Sequence, residues 1–119
     1  MIKTLIPCYD ALLHTKVQKC SYNLDRSQIS YRLHENMYNY NGIGLSANQI
    51  GINERVFVMI SDLDTQETIT CFNPKILKYS KDMVVMEEGC LSYPDVYLDV
   101  SRPESVVVKY EDEGKKVHK

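Results

Sequence analysis

The hydrophobic positions follow two different periods along the chain, one helical and one extended. Residues 26–39 carry the helical period, because three apolar residues recur there at every fourth position: Ile29, Leu33 and Met37. Asp25 precedes this stretch as a good N-cap, and Gln28 follows three residues later, as in a capping box. We therefore predict a helix over residues 26–39 that ends at residues 40–42, where Asn or Gly suits a left-handed cap.

From residue 55 onward, β-rich runs alternate with turn residues and predict short strands. The predicted strands span residues 55–61, 68–72, 75–79, 83–87, 96–100 and 104–110. Asn73-Pro74 is expected to break the second run from the third. After the turn at residues 111–114, residues 115–119 predict the start of another strand, although a frayed polar tail is the alternative. Because a half-made strand would leave a sheet edge exposed, we expect a further C-terminal portion.

Composition indicates one ordinary globular domain. The chain has 119 residues, of which 44% are hydrophobic and 25% charged, with a net charge of -2. The sequence has no basic stripe for nucleic acid, no apolar leader, and no run near the ~18 apolar residues that a membrane-spanning helix needs. We expect a cytoplasmic protein with no DNA or membrane partner, and an irregular arm over residues 1–24 that packs through Leu5-Ile6-Pro7 and Leu12-Leu13.

Four cysteines are present without a secretion signal or a C-x-x-C spacing: Cys8, Cys20, Cys71 and Cys90. Two disulfides are possible arithmetically, but reduced thiols are favoured in an intracellular protein. Packing or a chance surface position accounts for the first three.

Residues 42–51 form the first segment with candidate chemistry, because three glycines and two small residues require a sharp turn or a close backbone approach. The segment follows a helix and precedes a strand, which is the reverse of a dinucleotide-binding loop, so a phosphate cradle is excluded. Gln49 supplies an amide donor beside this backbone. Taken alone, such a segment is more often a tight connection than a site.

Residues 87–94 form the second segment, with the sequence Glu-Glu-Gly-Cys-Leu-Ser-Tyr-Pro. A thiolate at Cys90 would be a strong ligand for zinc or iron. Gly89 would let the backbone pass close to a bound group, and Pro94 would stiffen the exit. Taken alone, one cysteine is usually a small hydrophobic residue.

Together the two segments resemble the peptide deformylase family. GIGLSANQ at residues 42–49 resembles the family's G-x-G-L-A-A-x-Q signature, and EEGCLS at residues 87–92 resembles E-G-C-x-S. Ser46 replaces the usual alanine, a small-for-small change that should not disturb the packing. The resemblance covers essentially the whole chain. It implies an α+β fold of antiparallel β-sheets packed around one helix, in a single domain over residues 1–119 that is C-terminally incomplete.

The resemblance also implies an activity and a set of site residues. A peptide deformylase uses a metal to hydrolyse the formyl group from the formyl-methionine of nascent polypeptides. Cys90 would be a metal ligand, and the Gln49 side chain with the Leu91 backbone N–H would stabilise the oxyanion. The implied substrate-binding residues are Ile43, Gly44, Met86, Glu88 and Gly89. For Glu88, a structural pairing with Arg102 remains an equal alternative to a role in the methionine pocket.

The family's third signature, His-Glu-x-x-His, does not occur in the sequence. Its histidines would complete the ligand set of a divalent metal, with Fe2+ expected in the cell and Zn2+ or Ni2+ as alternatives. The chain has only three histidines, each expected at the solvated surface: His14, His34 and His118. The metal-binding helix is thus missing, so we expect weak or absent metal binding and a chain that is inactive by itself.

Several interpretations stay open from the sequence. The chain could be a fragment of a longer enzyme, could receive its last helix from a separate polypeptide, or could be a non-catalytic deformylase-like protein that binds peptide or a partner. A hydrolase with Cys90 as nucleophile is disfavoured, because no histidine base can be placed beside it. The expected partners are a formyl-methionyl peptide and the ribosome, in the cytoplasm, an organelle or the cytoplasm of a phage-infected cell.

Overall fold

A computed structural model of the chain describes residues 4–21 and 23–119. It contains one α-helix, α1 (Arg26–Asn39), and two 3₁₀-helices, Ala11–His14 and Ala47–Ile50. The strands are β1 (Gly44–Ser46), β2 (Val56–Asp62), β3 (Glu67–Tyr79), β4 (Met83–Cys90), β5 (Tyr93–Pro103), β6 (Val106–Glu111) and β7 (Val117–His118). No helix within the described residues is long and apolar enough to cross a bilayer. Residues 1–3 and 22, part of the predicted irregular arm, lie outside the description.

Helix α1 confirms the predicted boundaries and both caps. The Asp25 side chain accepts a hydrogen bond from the Gln28 backbone N–H at 3.1 Å. At the other end, Asn41 takes the left-handed conformation with φ 56°. The Gly42 N–H reaches the Met37 carbonyl at 3.0 Å, and the Asn41 N–H reaches the Tyr38 carbonyl at 3.1 Å. These are the two hydrogen bonds of a Schellman motif, so the chain leaves α1 in a fixed direction toward β1.

Five antiparallel strands form the main sheet in the order β1-β2-β3-β6-β7. The predicted break at Asn73-Pro74 is wrong, because β3 runs through it as one strand. The pairing register of β3 with β6 shifts between Phe72 and Lys75, and Asn73 has a φ of 50°. Such a bulge tolerates a proline, since the missing N–H falls where the ladder is interrupted. Two predicted strands are therefore a single bent one.

The core lies where α1 packs on this sheet. The apolar stripe predicted from the sequence is buried, and the side chains that are 0% exposed include Leu33, Met37, Val58 and Phe72. Burying a side chain of this size contributes ~1.5–3 kcal/mol. Arg26 secures the start of α1, because its guanidinium lies 4.9 Å from the centre of the Phe72 ring and 2.9 Å from a Glu111 carboxylate oxygen.

Strands β4 and β5 form a separate two-stranded sheet. The hairpin is longer than the two strands predicted at residues 83–87 and 96–100, and its pairs run from Met83 and Pro103 to Cys90 and Tyr93. Apolar side chains remain exposed along it, including Val85 at 63%. The turn after β4 places Cys90 at the tip of the hairpin.

The C-terminal residues confirm the strand predicted after the turn at residues 111–114. β7 is short and pairs with β6 through Tyr110–His118 and Glu111–Val117. The glycine-rich segment at residues 42–51 forms β1 and the second 3₁₀-helix.

Candidate active site

The two segments with candidate chemistry meet across one cleft. β1 is the outermost strand on one side of the main sheet as described, and the tip of the β4–β5 hairpin faces it. The cleft has a volume of about 710 Å³, within the usual size of ligand sites. The residues that line it are Leu5, Tyr40, Asn41, Gly42, Ile43, Gly44, Gln49, Gly89, Cys90, Leu91, Tyr93, Pro94, Asp95, Val96 and Tyr97.

Gln49 projects into the cleft from the 3₁₀-helix that follows β1. Its side-chain Nε2 lies 3.7 Å from the Cys90 Sγ and donates a hydrogen bond to the Ser92 Oγ at 2.9 Å. Its Oε1 accepts a hydrogen bond from the Ser46 backbone N–H at 3.0 Å. Its own carbonyl accepts from the Ile6 N–H at 2.8 Å, so the N-terminal segment helps to hold this turn. Gln49 and Cys90, to which the family resemblance assigned roles in one reaction, thus face the same cleft in the structure.

Glycine at position 42 allows the hairpin tip to approach the first segment. A Cβ atom built on Gly42 would lie only 2.7 Å from the Leu91 Cδ1. The Leu91 side chain is partly buried against the main core. The backbone that follows Cys90 is therefore packed directly onto the loop that leads into β1. Gly51, with φ 84°, ends the 3₁₀-helix of Gln49 in the left-handed conformation.

Cys90 differs from the other cysteines in its surroundings. All four thiols are free, in agreement with the predicted reduced state. Burial raises the pKa of the Cys71 thiol to about 11, and burial also raises the pKa of Cys20, so these two groups stay protonated at neutral pH. Cys90 is exposed in the cleft. It is the cysteine that is placed to meet a ligand.

Of the residues predicted to shape a methionine pocket, some line the cleft in the structure and others lie outside it. Gly89 lines the cleft, and the Tyr97 ring lies over it so closely that a Cβ on Gly89 would be 2.7 Å from the Tyr97 Cε1. Met86 is 62% exposed on the hairpin, outside the cleft lining. Glu88 also lies outside that lining and accepts hydrogen bonds of 2.8 and 2.6 Å from the Arg102 Nε. That hydrogen bond lowers the pKa of Glu88.

The three histidines lie away from the cleft. His14 contacts the Cys8 carbonyl at 2.8 Å. His34 lies between the Ser30 carbonyl at 2.7 Å and the Thr68 hydroxyl at 2.6 Å. His118 pairs with the Asp112 carboxylate at 2.9 Å and stacks on a tyrosine. His14 is exposed as predicted, whereas His34 and His118 are partly exposed and hydrogen-bonded, so both reach the surface without being fully solvated.

Ser92, a buried residue that contacts Gln49 from behind the cleft lining, was not predicted from the sequence. It is 7% exposed, and its hydroxyl accepts a hydrogen bond from the Gln49 side-chain amide. The signal was present, because Ser92 is the last residue of the E-G-C-x-S pattern. Within residues 4–21 and 23–119, no group of three or more His, Cys, Asp and Glu side chains is arranged to hold a metal.

Comparison with known proteins agrees with this geometry. Residues 2–119 match the family described as polypeptide deformylase. The chain belongs to this family. A peptide deformylase from Synechocystis sp. is 44% identical over 81 residues, which are 66% of this chain and 43% of that protein. One from Thermotoga maritima is 41% identical over 81 residues, 68% of this chain and 48% of its own length. The chain thus spans about half the length of the curated deformylases it matches.

Solved structures of the family confirm the predicted α+β fold. The crystal structure of a class I type b peptide deformylase from Acinetobacter baumannii superposes with a TM-score of 0.92 at 29% identity. That superposition covers 99% of this chain and 81% of the A. baumannii chain. The deformylase relatives give no support to the non-catalytic alternative.

Proposed function

We propose that this chain provides the substrate cleft of a peptide deformylase, which hydrolyses the formyl group from the N-terminal formyl-methionine of nascent polypeptides. The observation that carries the proposal is the 3.7 Å distance between the Gln49 Nε2 and the Cys90 Sγ across one cleft. Family membership supplies the reaction class.

Gln49 and Leu91 would bind the formyl group. The formyl oxygen would accept hydrogen bonds from the Gln49 side-chain amide and the Leu91 backbone N–H. As water adds to the carbonyl carbon, negative charge develops on this oxygen, and donors that are already oriented stabilise it without reorganisation. Loss of one such donor typically lowers kcat by ~10²–10³-fold. Gln49 suits this role because its amide is held at both ends by hydrogen bonds.

The rest of the peptide would lie along the edge of β1. Within the described part of the chain, β1 pairs with β2 alone, which leaves its other edge toward the cleft. An extended peptide could add there as a strand, with Ile43 and Gly44 as its backbone partners. Gly89, which lines the cleft, would form the thin wall beside the methionine side chain. Met86 and Glu88 lie outside the cleft lining, so they would support this wall from behind, Glu88 through its pairing with Arg102.

Peptide deformylases are metal-dependent, and Cys90 would be the thiolate ligand in this chain. We propose Fe2+ as the metal in the cell, with Zn2+ or Ni2+ able to replace it. When bound, the metal would supply a water of lowered pKa. The cleft offers one soft donor, whereas a catalytic site of this kind has three protein ligands. The described residues alone therefore do not fit a complete site, and we expect weak metal binding and little or no turnover by the 119-residue chain.

The nature of the substrate supports the remaining proposals. Formyl-methionine begins a nascent polypeptide, so the protein would act in the cytoplasm near the ribosome. The partners we propose are accordingly the formyl-methionyl peptide and the translating ribosome.

Peptide binding tests the proposed function. A related A. baumannii deformylase was crystallised with Met-Ala-Ser, so formyl-Met-Ala-Ser is a suitable probe. We expect it to shift the backbone NMR signals of Ile43, Gly44, Gln49 and Leu91, and acetyl-Met-Ala-Ser, with its added methyl group, to shift them less. Gln49→Ala should weaken the response. Signals that move only outside the cleft, or equally for both peptides, would contradict the proposal.

Formate release tests the prediction of low activity separately. The chain would be incubated with formyl-Met-Ala-Ser and ferrous or nickel ion, beside Cys90→Ser and Gln49→Ala. We expect little formate above the level of the Cys90→Ser variant. Rapid release that Cys90→Ser abolishes would support the reaction and show that the expected inactivity is wrong.

A further inference from the structure

We infer that Ser92 is a positioning residue that holds the Gln49 amide in place, in the orientation that the Ser46 backbone N–H selects from the opposite end. This inference deepens the proposed function, because it concerns the proposed oxyanion donor. Ser92 is 7% exposed, and its hydroxyl oxygen lies 2.9 Å from the Gln49 Nε2. It reaches the nitrogen end of the amide, which is the end that faces Cys90.

A carboxamide has two N–H groups on one end and a carbonyl oxygen on the other. One Gln49 N–H is taken by Ser92, and Nε2 also lies 3.7 Å from the Cys90 Sγ, on the cleft side. The amide therefore presents a donor to the cleft only while its nitrogen points toward Ser92. A half-turn about the last side-chain bond would present Oε1 instead, which would repel a developing oxyanion.

Ser46 opposes the same half-turn from the other end. Its backbone N–H donates to the Gln49 Oε1 at 3.0 Å. After a half-turn this N–H would face the amide nitrogen, and two donors would oppose each other. The Ser46 N–H can only donate, so it selects the orientation in which Oε1 faces it, and the Ser92 hydroxyl, which can donate or accept, accepts from Nε2 and holds the amide there.

The Ser46 hydroxyl adds a contact that alanine could not make. It lies 2.6 Å from the Asn48 Oδ1 and 3.2 Å from the Gln49 Oε1. Alanine is the usual residue at this place in the signature that the sequence resembles. The expectation of a neutral small-for-small change is therefore incomplete, because the hydroxyl joins the polar contacts around Gln49.

The side-chain NMR signals of Gln49 test the inference without any need for turnover. The chain has four glutamines, Gln18, Gln28, Gln49 and Gln66, and Gln49→Ala identifies the signals of interest. In the unaltered chain labelled with ¹⁵N-glutamine, we expect the two Gln49 amide protons to be well separated, with slowed exchange of one proton with water. In Ser92→Ala, the chemical shifts and exchange rates of the Gln49 amide protons should move toward those of the exposed Gln18.

Matched variants separate positioning from general disturbance. Ser92→Thr keeps a hydroxyl, so the separation and slowed exchange of the Gln49 amide protons should be retained. Ser92→Cys keeps the approximate size but is a weaker acceptor, so both features should be lost. Ser101→Ala makes the same substitution at an exposed position of the same hairpin and should change nothing. If the Gln49 protons of the unaltered chain already behave like those of Gln18, or survive Ser92→Ala and Ser92→Cys, the inference is wrong.

Formyl-Met-Ala-Ser binding links the inference to function. Ser92→Ala should weaken binding less than Gln49→Ala does, and should have no further effect in a Gln49→Ala background, because Ser92 acts through Gln49. Equal additive losses in both backgrounds would overturn the positioning role. If the unaltered chain binds no formyl peptide, the proposed function fails, while the Gln49 signals still decide whether Ser92 orients the amide.

Discussion

The body of the molecule, formed by α1 and the five-stranded sheet, differs from the β4–β5 hairpin in where its apolar side chains lie. In the body, Leu33 and Phe72 are 0% exposed. In the hairpin, Met86 and Leu98 are 62% and 64% exposed, although its strands are as apolar in sequence. The body has a helix to cover its sheet, whereas the hairpin has no such layer among residues 4–21 and 23–119.

This difference shows how the candidate site is held. An isolated two-stranded hairpin is marginally stable in water. The β4–β5 hairpin is anchored at its tip, where the Leu91 side chain packs on the core and the Ser92 hydroxyl accepts a hydrogen bond from the Gln49 amide. Leu91, which lines the cleft, and Ser92, which holds Gln49, thus also attach the hairpin to the body.

The largest contrast is expected from one substitution made in both regions. Leu33→Ala removes a fully buried side chain and should lower the free energy of unfolding by ~2–5 kcal/mol. Leu98→Ala makes the same change on the hairpin and should stay within ~0.5 kcal/mol. Urea unfolding followed by circular dichroism measures both. Similar losses for the two variants would mean that the hairpin is as well packed as the body.

A second contrast compares the ion pairs of the two regions. Glu111→Gln removes the anion beside Arg26, whose side chain is 8% exposed, and should cost ~1–3 kcal/mol of unfolding free energy. Glu88→Gln removes the anion beside Arg102, whose side chain is 62% exposed, and should leave the urea midpoint unchanged. Equal effects would show that burial does not set the strength of these pairs.

The ion pair between Arg26 and Glu111 in the body also leads us to expect that the stability of the fold depends on pH. The hydrogen bond from Arg26 lowers the pKa of Glu111, and the one from His118 lowers the pKa of Asp112. A carboxyl group with a lowered pKa in the folded state stabilises the protein above its unfolded pKa, and this contribution is lost as the pH falls through the folded value. Stability should therefore fall below pH ~4. The fall should be smaller in Glu111→Gln, and an identical fall would contradict the assignment to Glu111.

The smallest expected difference in stability between the two regions comes from replacing a glycine by alanine in each. Gly51 has φ 84°, so Gly51→Ala should cost ~1–2 kcal/mol through backbone strain. Gly89→Ala would place a Cβ 2.7 Å from the Tyr97 ring, which is exposed and can swing aside, so its stability should change by less than ~0.5 kcal/mol. Thermal unfolding of both variants measures the difference. A larger loss for Gly89→Ala would show that the Tyr97 ring is held firmly.

Local signals predicted the local features well. The four-residue spacing in α1 and its capping residues act within one or two turns, so the helix bounds and both caps followed from the sequence. The strand break at Asn73-Pro74 failed because a bulge depends on the partner strand β6, which lies far along the chain. The lengths of β4 and β5 depend on each other for the same reason.

The site could be predicted only in part. Gln49 and Cys90 were assigned to one site because the two segments together resemble the motifs of the family, whereas neither segment alone indicates a site. Ser92 was missed, although it is the last residue of the E-G-C-x-S pattern, because a serine hydroxyl does not reveal its role until its partner is known. His34 was expected at the surface, yet it joins α1 to β3 through Ser30 and Thr68, and such a contact between distant segments is invisible to periodicity.

The most direct test of the central claim, that Gln49 and Cys90 frame one formyl-peptide cleft, is the alkylation rate of Cys90 followed by mass spectrometry. Saturating formyl-Met-Ala-Ser should slow iodoacetamide labelling of Cys90 several-fold, while labelling of Cys8 should not change. The protection should be weaker with acetyl-Met-Ala-Ser and in Gln49→Ala. An unchanged Cys90 rate, or equal protection in the Gln49→Ala variant, would contradict the account.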